Sequence, residues 1–180
     1  MTASSSSGDA DMPGLDRLWT GWRNDYVTTG GAGTPGSASV FTRILAAELP
    51  DDESLILHRG SLCFAILNRF PYSTGHLMVL PYREIPDLED LTTEESIELW
   101  AGVTDAVRAL KAALQPHGIN VGINLGRAAG GSVAQHLHVH AVPRWTGDAN
   151  FMTATAWTRT IPEALPDTWA KVRSAWPTSR

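Results

Sequence analysis

Residues 136–142 read His-Leu-His-Val-His-Ala-Val, polar and apolar in strict alternation. Successive side chains of an extended strand point to opposite faces, so the pattern predicts a strand with His136, His138 and His140 on one face and Leu137, Val139 and Ala141 on the other. At the two-residue repeat of a strand the imidazoles stand roughly 7 Å apart. Each one, once buried, needs a hydrogen-bond partner or an opening to a ligand. Three readings stay open here: a metal site, because alternate strand positions can present two imidazoles to one ion; a nucleophilic histidine with flanking helpers; and a structural row. No further ligand set stands out by spacing, and the nucleophilic reading also accounts for the loop just upstream. That loop, Asn124 to Gln135, holds Gly126, Gly130 and Gly131 followed by Ser132. Glycines let backbone N–H groups converge on an anion and Ser132 adds a hydroxyl, which makes a candidate phosphate cradle.

The remainder of the chain supplies a sheet and a long helix to carry this strand. Leu55 to Leu67 gives two apolar runs around Arg59-Gly60, a hairpin signal, and the stretch from His76 to Pro81 gives a third strand after a loop with Pro71 and Gly75. Thr92, three residues before Glu95, forms a capping box. Ile97, Trp100, Val103, Val107, Leu110 and Leu114 then recur at helical spacing until Pro116 and Gly118, which predicts one long core-facing helix. Residues 118–126 read as a fourth strand, the histidine strand is the fifth, and a short helix is expected around Asp167 to Trp176. The fold class is therefore α+β: an antiparallel sheet of about five strands, one long helix and a short C-terminal helix.

At 180 residues, 43% hydrophobic and 18% charged, the composition suits one globular domain. Residues 1–13 and 28–39 are small and polar and read as a disordered tail and a flexible loop; 14–180 form the domain. Leu18, Trp19, Trp22 and Tyr26 predict a short amphipathic segment docked on the body. The longest apolar run, Leu62 to Leu67, is far short of a membrane span, and the N-terminus lacks the apolar core of a signal peptide. With a single cysteine, Cys63, no intrachain disulfide or Cys-based zinc site forms, which fits a reducing compartment and predicts a cytoplasmic protein. The net charge of -5, with basic residues scattered, disfavours nucleic acid as a partner.

The stretch from Gly130 to Trp145, with its His-x-His-x-His motif followed by two apolar residues, resembles the signature of the histidine-triad (HIT) superfamily. With Leu67 to Pro81 and residues 146–152, and with Leu18 to Val27 upstream, it is most similar to the bacterial diadenosine tetraphosphate phosphorylases. The resemblance spans about residues 17 to 152 and implies a HIT-like fold and transfer of a nucleoside monophosphate through a covalent nucleotidyl-histidine. His138 would be the nucleophile, its other ring nitrogen held protonated by a main-chain carbonyl. His136 and His140 would flank the phosphate, donating to its oxygens and, for one of them, protonating the leaving group. His76 matches a further family histidine near the triad. Asn68 matches the ribose-binding position, with Ile66 and Met78 lining a slot for the base. Asn124 matches an amide at the phosphate region, and Trp145 is placed to close over the base or to cover the sheet. Many of the family's hydrolases carry Gln where Ser132 stands; the shorter side chain leaves room for inorganic phosphate to attack the adenylyl-histidine and give ADP after ATP has left. The resemblance also implies a homodimer or higher oligomer and no required cofactor, with a divalent cation such as Mg accompanying the polyphosphate as a chelate. Two alternatives remain: the same chemistry with water as acceptor, in a dinucleoside polyphosphate hydrolase or nucleoside phosphoramidase, and a non-catalytic nucleotide-binding module.

Overall fold

The computed structural model describes residues 38–148 and 163–178. The tail at 1–13, the Trp19, Trp22 and Tyr26 segment, most of 28–39 and the signature residues 149–152 lie outside them. Two helices that the sequence reading leaves unassigned open the described chain, α1 (Val40–Ala46) and α2 (Asp51–Ser54). Strands β1 (Ile56–Arg59), β2 (Cys63–Leu67) and β3 (Leu77–Pro81) follow. After the long helix α3 (Thr93–Leu114) come β4 (Gly118–Ile123), β5 (Val139–Arg144) and α4 (Leu165–Ser174). The five strands form one antiparallel sheet in the order β1-β2-β3-β5-β4, with Phe64 opposite Leu80, Met78 opposite His140 and Val121 opposite Ala141. The hairpin, the strand count, the long helix and the C-terminal helix all follow the sequence reading.

Two details depart from it. The histidine strand begins at Val139, not at His136, because Leu137 N–H donates to the Ile85 carbonyl at 2.6 Å and His136 N–H closes a turn onto Val133. His136 is thereby taken out of the ladder and off the face that His138 and His140 share. The buried stripe of α3 also differs from the expected one. Val103 and Leu110 are buried as expected, but Leu99 and Ala106 join them, whereas Ile97 is 68% and Trp100 46% exposed. Small residues contribute to this: a Cβ on Gly102 would stand 3.0 Å from Val79 Cγ1, so α3 approaches the sheet closely there.

The helix is anchored at both ends. At its start the Thr92 hydroxyl accepts from Glu95 N–H while the Glu95 carboxylate accepts from Thr92 N–H, the reciprocal bonds of the capping box. Arg83 clamps the same carboxylate at 2.7 and 2.8 Å, and this guanidinium holds the acid down to about 2. At its end Leu114 packs on Gly75, whose φ of +79° is in the left-handed region and whose added Cβ would sit 2.4 Å from Leu114 Cδ1. Helix α4 covers the β1 edge of the sheet. Trp169 Nε1 donates to the Ile56 carbonyl at 2.8 Å and the Arg173 guanidinium to that of Leu57, so acceptors on an edge strand are satisfied by side chains. The other edge, β4, stays largely exposed, with Val121 at 43%.

Candidate active site

On the sheet face opposite α3, a cavity of about 390 Å³ opens between α1, the ends of β2 and β3, the glycine loop and the start of β5. That volume suits a small ligand such as a nucleotide. One part of its wall is apolar, with Phe41, Ile44, Leu55, Ile66 and Met78; another is polar, with Asn124, Ser132, His138 and His140.

Main-chain groups fix the protonation states of His138 and His76. His138 Nδ1 lies 2.7 Å from the His136 carbonyl. A carbonyl only accepts, so Nδ1 carries the proton and Nε2 keeps a bare lone pair. Burial pushes the His138 pKa below its ordinary value, partly opposed by that carbonyl bond, and keeps the ring neutral. Phe41 packs against it at 5.4 Å between ring centres. His76 is fully buried and receives the Tyr72 N–H on Nδ1 at 3.1 Å. Its own proton is therefore on Nε2 and is donated to His140 Nδ1 at 3.0 Å. His140 in turn carries its hydrogen on Nε2. Burial first, and the neighbouring His140 and His138 next, push His76 down to about 3.

His136 serves the site differently. Its Nε2–H donates to the Pro81 carbonyl at 2.8 Å and its Nδ1 lies 2.7 Å from Ser39 Oγ. The Thr42 hydroxyl points to the Glu84 carboxylate at 2.7 Å, so Ser39 is left to donate to His136. Both ring nitrogens are thus engaged away from the cavity, and the His136 carbonyl orients His138. Among the other expected residues, Asn68, Asn124, Gly130, Gly131, Ser132, Ile66 and Met78 line the cavity with His138 and His140. His76 stands behind His140. Trp145, just past β5, is outside the lining, its N–H held by Asp148 at 3.1 Å.

The glycine loop works by compactness. Gly130 N–H donates to the Arg127 carbonyl and Gly131 N–H to that of Gly126, so these amides close the loop on itself. A Cβ on Gly131 would meet Gly126 O at 3.0 Å and Asn124 O at 3.2 Å. What the loop brings to the lining is the Ser132 hydroxyl and the Asn124 carboxamide. Asn68 is likewise engaged locally: its Oδ1 accepts from Phe70 N–H at 2.9 Å, and its Nδ2 lies 3.3 Å from His76 Nδ1.

Sequence reasoning missed Ser39, Phe41, Ile44 and Tyr72. A signal for the first three is present: Ser39 stands as an N-cap before Phe41, Ile44 and Leu45, which recur at helical spacing. Among the described residues no three His, Cys, Asp or Glu side chains are grouped to hold a metal ion.

An antiparallel sheet presenting a neutral, main-chain-oriented imidazole to a nucleotide-sized cavity defines a histidine-triad protein. The chain belongs to the HIT family, whose domain pattern matches residues 50–147. It is 47% identical over 167 residues to a protein of Mycobacterium tuberculosis (strain ATCC 25618 / H37Rv) named AP-4-A phosphorylase, over 90% of this chain and 85% of that one. It is 35% identical over 95 residues to the asymmetrical bis(5'-nucleosyl)-tetraphosphatase of Schizosaccharomyces pombe, 53% of this chain and 52% of that one. Among solved structures, a Hit-like protein involved in cell-cycle regulation from Bartonella henselae matches with a TM-score of 0.62 at 27% identity, covering 76% of this chain and 94% of that one. A zinc-bound histidine triad family protein from Mycobacterium smegmatis matches with a TM-score of 0.61 at 28% identity, over 76% and 91%.

Proposed function

We propose that the protein phosphorolyses diadenosine tetraphosphate to ATP and ADP through an adenylyl group carried on His138. The observation that carries this reading is the bond between His138 Nδ1 and the His136 carbonyl, which leaves Nε2 bare beside the cavity; the similarity to the mycobacterial phosphorylase supports the choice of substrate. Nε2 attacks the α-phosphorus, a P–N bond forms, and the P–O bond to the departing ATP breaks. His140 Nε2–H and the Ser132 hydroxyl donate to the phosphoryl oxygens as charge develops on them. An oxygen of inorganic phosphate then attacks the same phosphorus, the P–N bond breaks, ADP leaves and His138 regains its lone pair. Asn124 faces the phosphates, Asn68 the ribose, and Ile66, Met78 and Phe41 the base. The reaction needs no resident metal, and a divalent cation enters only with the polyphosphate. The protein works as a homodimer or larger homo-oligomer.

The test is intact-protein mass spectrometry after incubation with diadenosine tetraphosphate and no phosphate. A gain of one adenylyl group is expected, lost with production of ADP when phosphate is added, and absent in His138→Asn. Release of AMP without phosphate would move the protein to the hydrolase reading. Nucleotide binding with no adduct and no product would make it a binding module.

A further inference from the structure

The arginines of the described chain divide into two groups. Arg59, Arg83, Arg108, Arg144 and Arg173 each meet a carboxylate, and Arg43 donates to the Ala38 carbonyl at 3.2 Å. Arg69 and Arg127 have no ion pair or side-chain hydrogen bond among the described residues. Both belong to segments that contribute to the cavity lining. Arg69 lines the cavity directly, next to Asn68, and is the one arginine or lysine in that lining among the described residues. Arg127 is exposed in the turn from Gly126 to Gly130, whose continuation Gly131-Ser132 lines the polar wall. No Asp or Glu among the described residues lines the cavity. Asp52 and Glu53 share an adjoining open groove with Arg69, and neither forms an ion pair with it.

A planar guanidinium pairs bidentately with phosphate oxygens. Any ligand whose phosphate chain runs past the α-phosphate carries added negative charge toward a protein of net charge -5, a long-range field that opposes it. The geometry points to Arg69, in the cavity lining, and Arg127, in the loop that leads into its polar wall, as a pair that clamps the phosphates beyond the α-phosphate. It selects polyphosphate nucleotides over monophosphates and holds the outgoing chain while its P–O bond breaks. This inference rests on the nucleotide reading of the cavity given above.

The experiment is calorimetric titration of AMP and of ATP, at low salt and without divalent cations, into wild type, Arg69→Gln, Arg127→Gln, the double variant and Arg108→Gln, whose partner Asp105 lies on α3. Wild type is expected to bind ATP about tenfold tighter than AMP. Each single variant should cut that ratio about threefold, as partly exposed ion pairs do, and the double variant should bring it to about one, while Arg108→Gln keeps the wild-type ratio. Added salt should erode the ATP preference of wild type and leave the double variant unaffected. Equal thermal midpoints across the set show that the variants are folded. A wild-type ATP-to-AMP ratio retained in the double variant, or no ATP preference in wild type, overturns the clamp and leaves the nucleotide reading standing. Binding of neither nucleotide to wild type overturns the nucleotide reading, and the clamp with it.

Discussion

At the residue scale, the site is a set of imidazoles whose protons are placed by their neighbours, and burial sets how they respond to acid. His76 titrates at about 3 in the folded protein against an ordinary value of 6.5. Between those values the unfolded chain binds a proton that the folded one refuses, so stability is full above pH 6.5 and falls as the pH drops through that window, by a few kcal/mol. Urea unfolding midpoints should stay level from pH 7.5 to about 6.5 and then fall toward pH 4.5, and the fall should be flatter in His76→Gln; parallel slopes would show that His76 is not the group responsible. The alternation of the three histidines was legible from sequence, and the bare nitrogen of His138 was expected through the family resemblance, which implies a carbonyl on the other nitrogen. The separate fate of His136 was not legible. Its hydroxyl partner, Ser39, lies 97 positions away in the chain, and local pattern carries no information about a contact of that span.

At the element scale, hydrophobic period and capping chemistry sufficed to place the strands and the long helix. They placed Val103 and Leu110 in the core but not Leu99, Ala106 and Ala109, because the two alanines are buried by their small size, a property invisible to a hydrophobicity pattern. The loop between β2 and β3 shows the same dependence on size. It carries Tyr72 and His76 into the site and turns at Gly75, where a left-handed backbone and the Leu114 side chain both exclude a Cβ. Gly75→Ala should therefore cost about 1–2 kcal/mol in unfolding free energy from the backbone conformation alone. It should also lower the rate of adenylyl transfer by shifting the loop that presents Tyr72 N–H to His76. A variant as stable as wild type would show that the turn relaxes without strain.

At the scale of the whole molecule, the sheet has one edge sealed by α4 and one, β4, that no described helix covers. Val121 on β4 is exposed there. A long unsealed edge with apolar side chains beside it is a surface that monomers seldom leave bare. Light scattering coupled to size exclusion should report a dimer or larger species for wild type and a shift toward monomer in Val121→Lys; a wild-type monomer would remove the oligomer from the proposal. No described helix is long and apolar enough to cross a membrane. The charge balance says little about the cavity, because its lining carries Arg69 and no described Asp or Glu within a globally acidic protein. That division between global and local charge could not be read from composition, since it depends on which cations the fold leaves uncommitted.

The peptide groups that orient His138 and His76, the His136 carbonyl and the Tyr72 amide, belong to the backbone and not to any side chain. A codon change can replace an imidazole or a hydroxyl, but it leaves peptide oxygens and hydrogens in place wherever the path of the chain survives. The tautomers of this centre are therefore inherited with the fold itself. Random mutagenesis should silence the centre by striking the rings or by unfolding the protein, and seldom by altering what steers them.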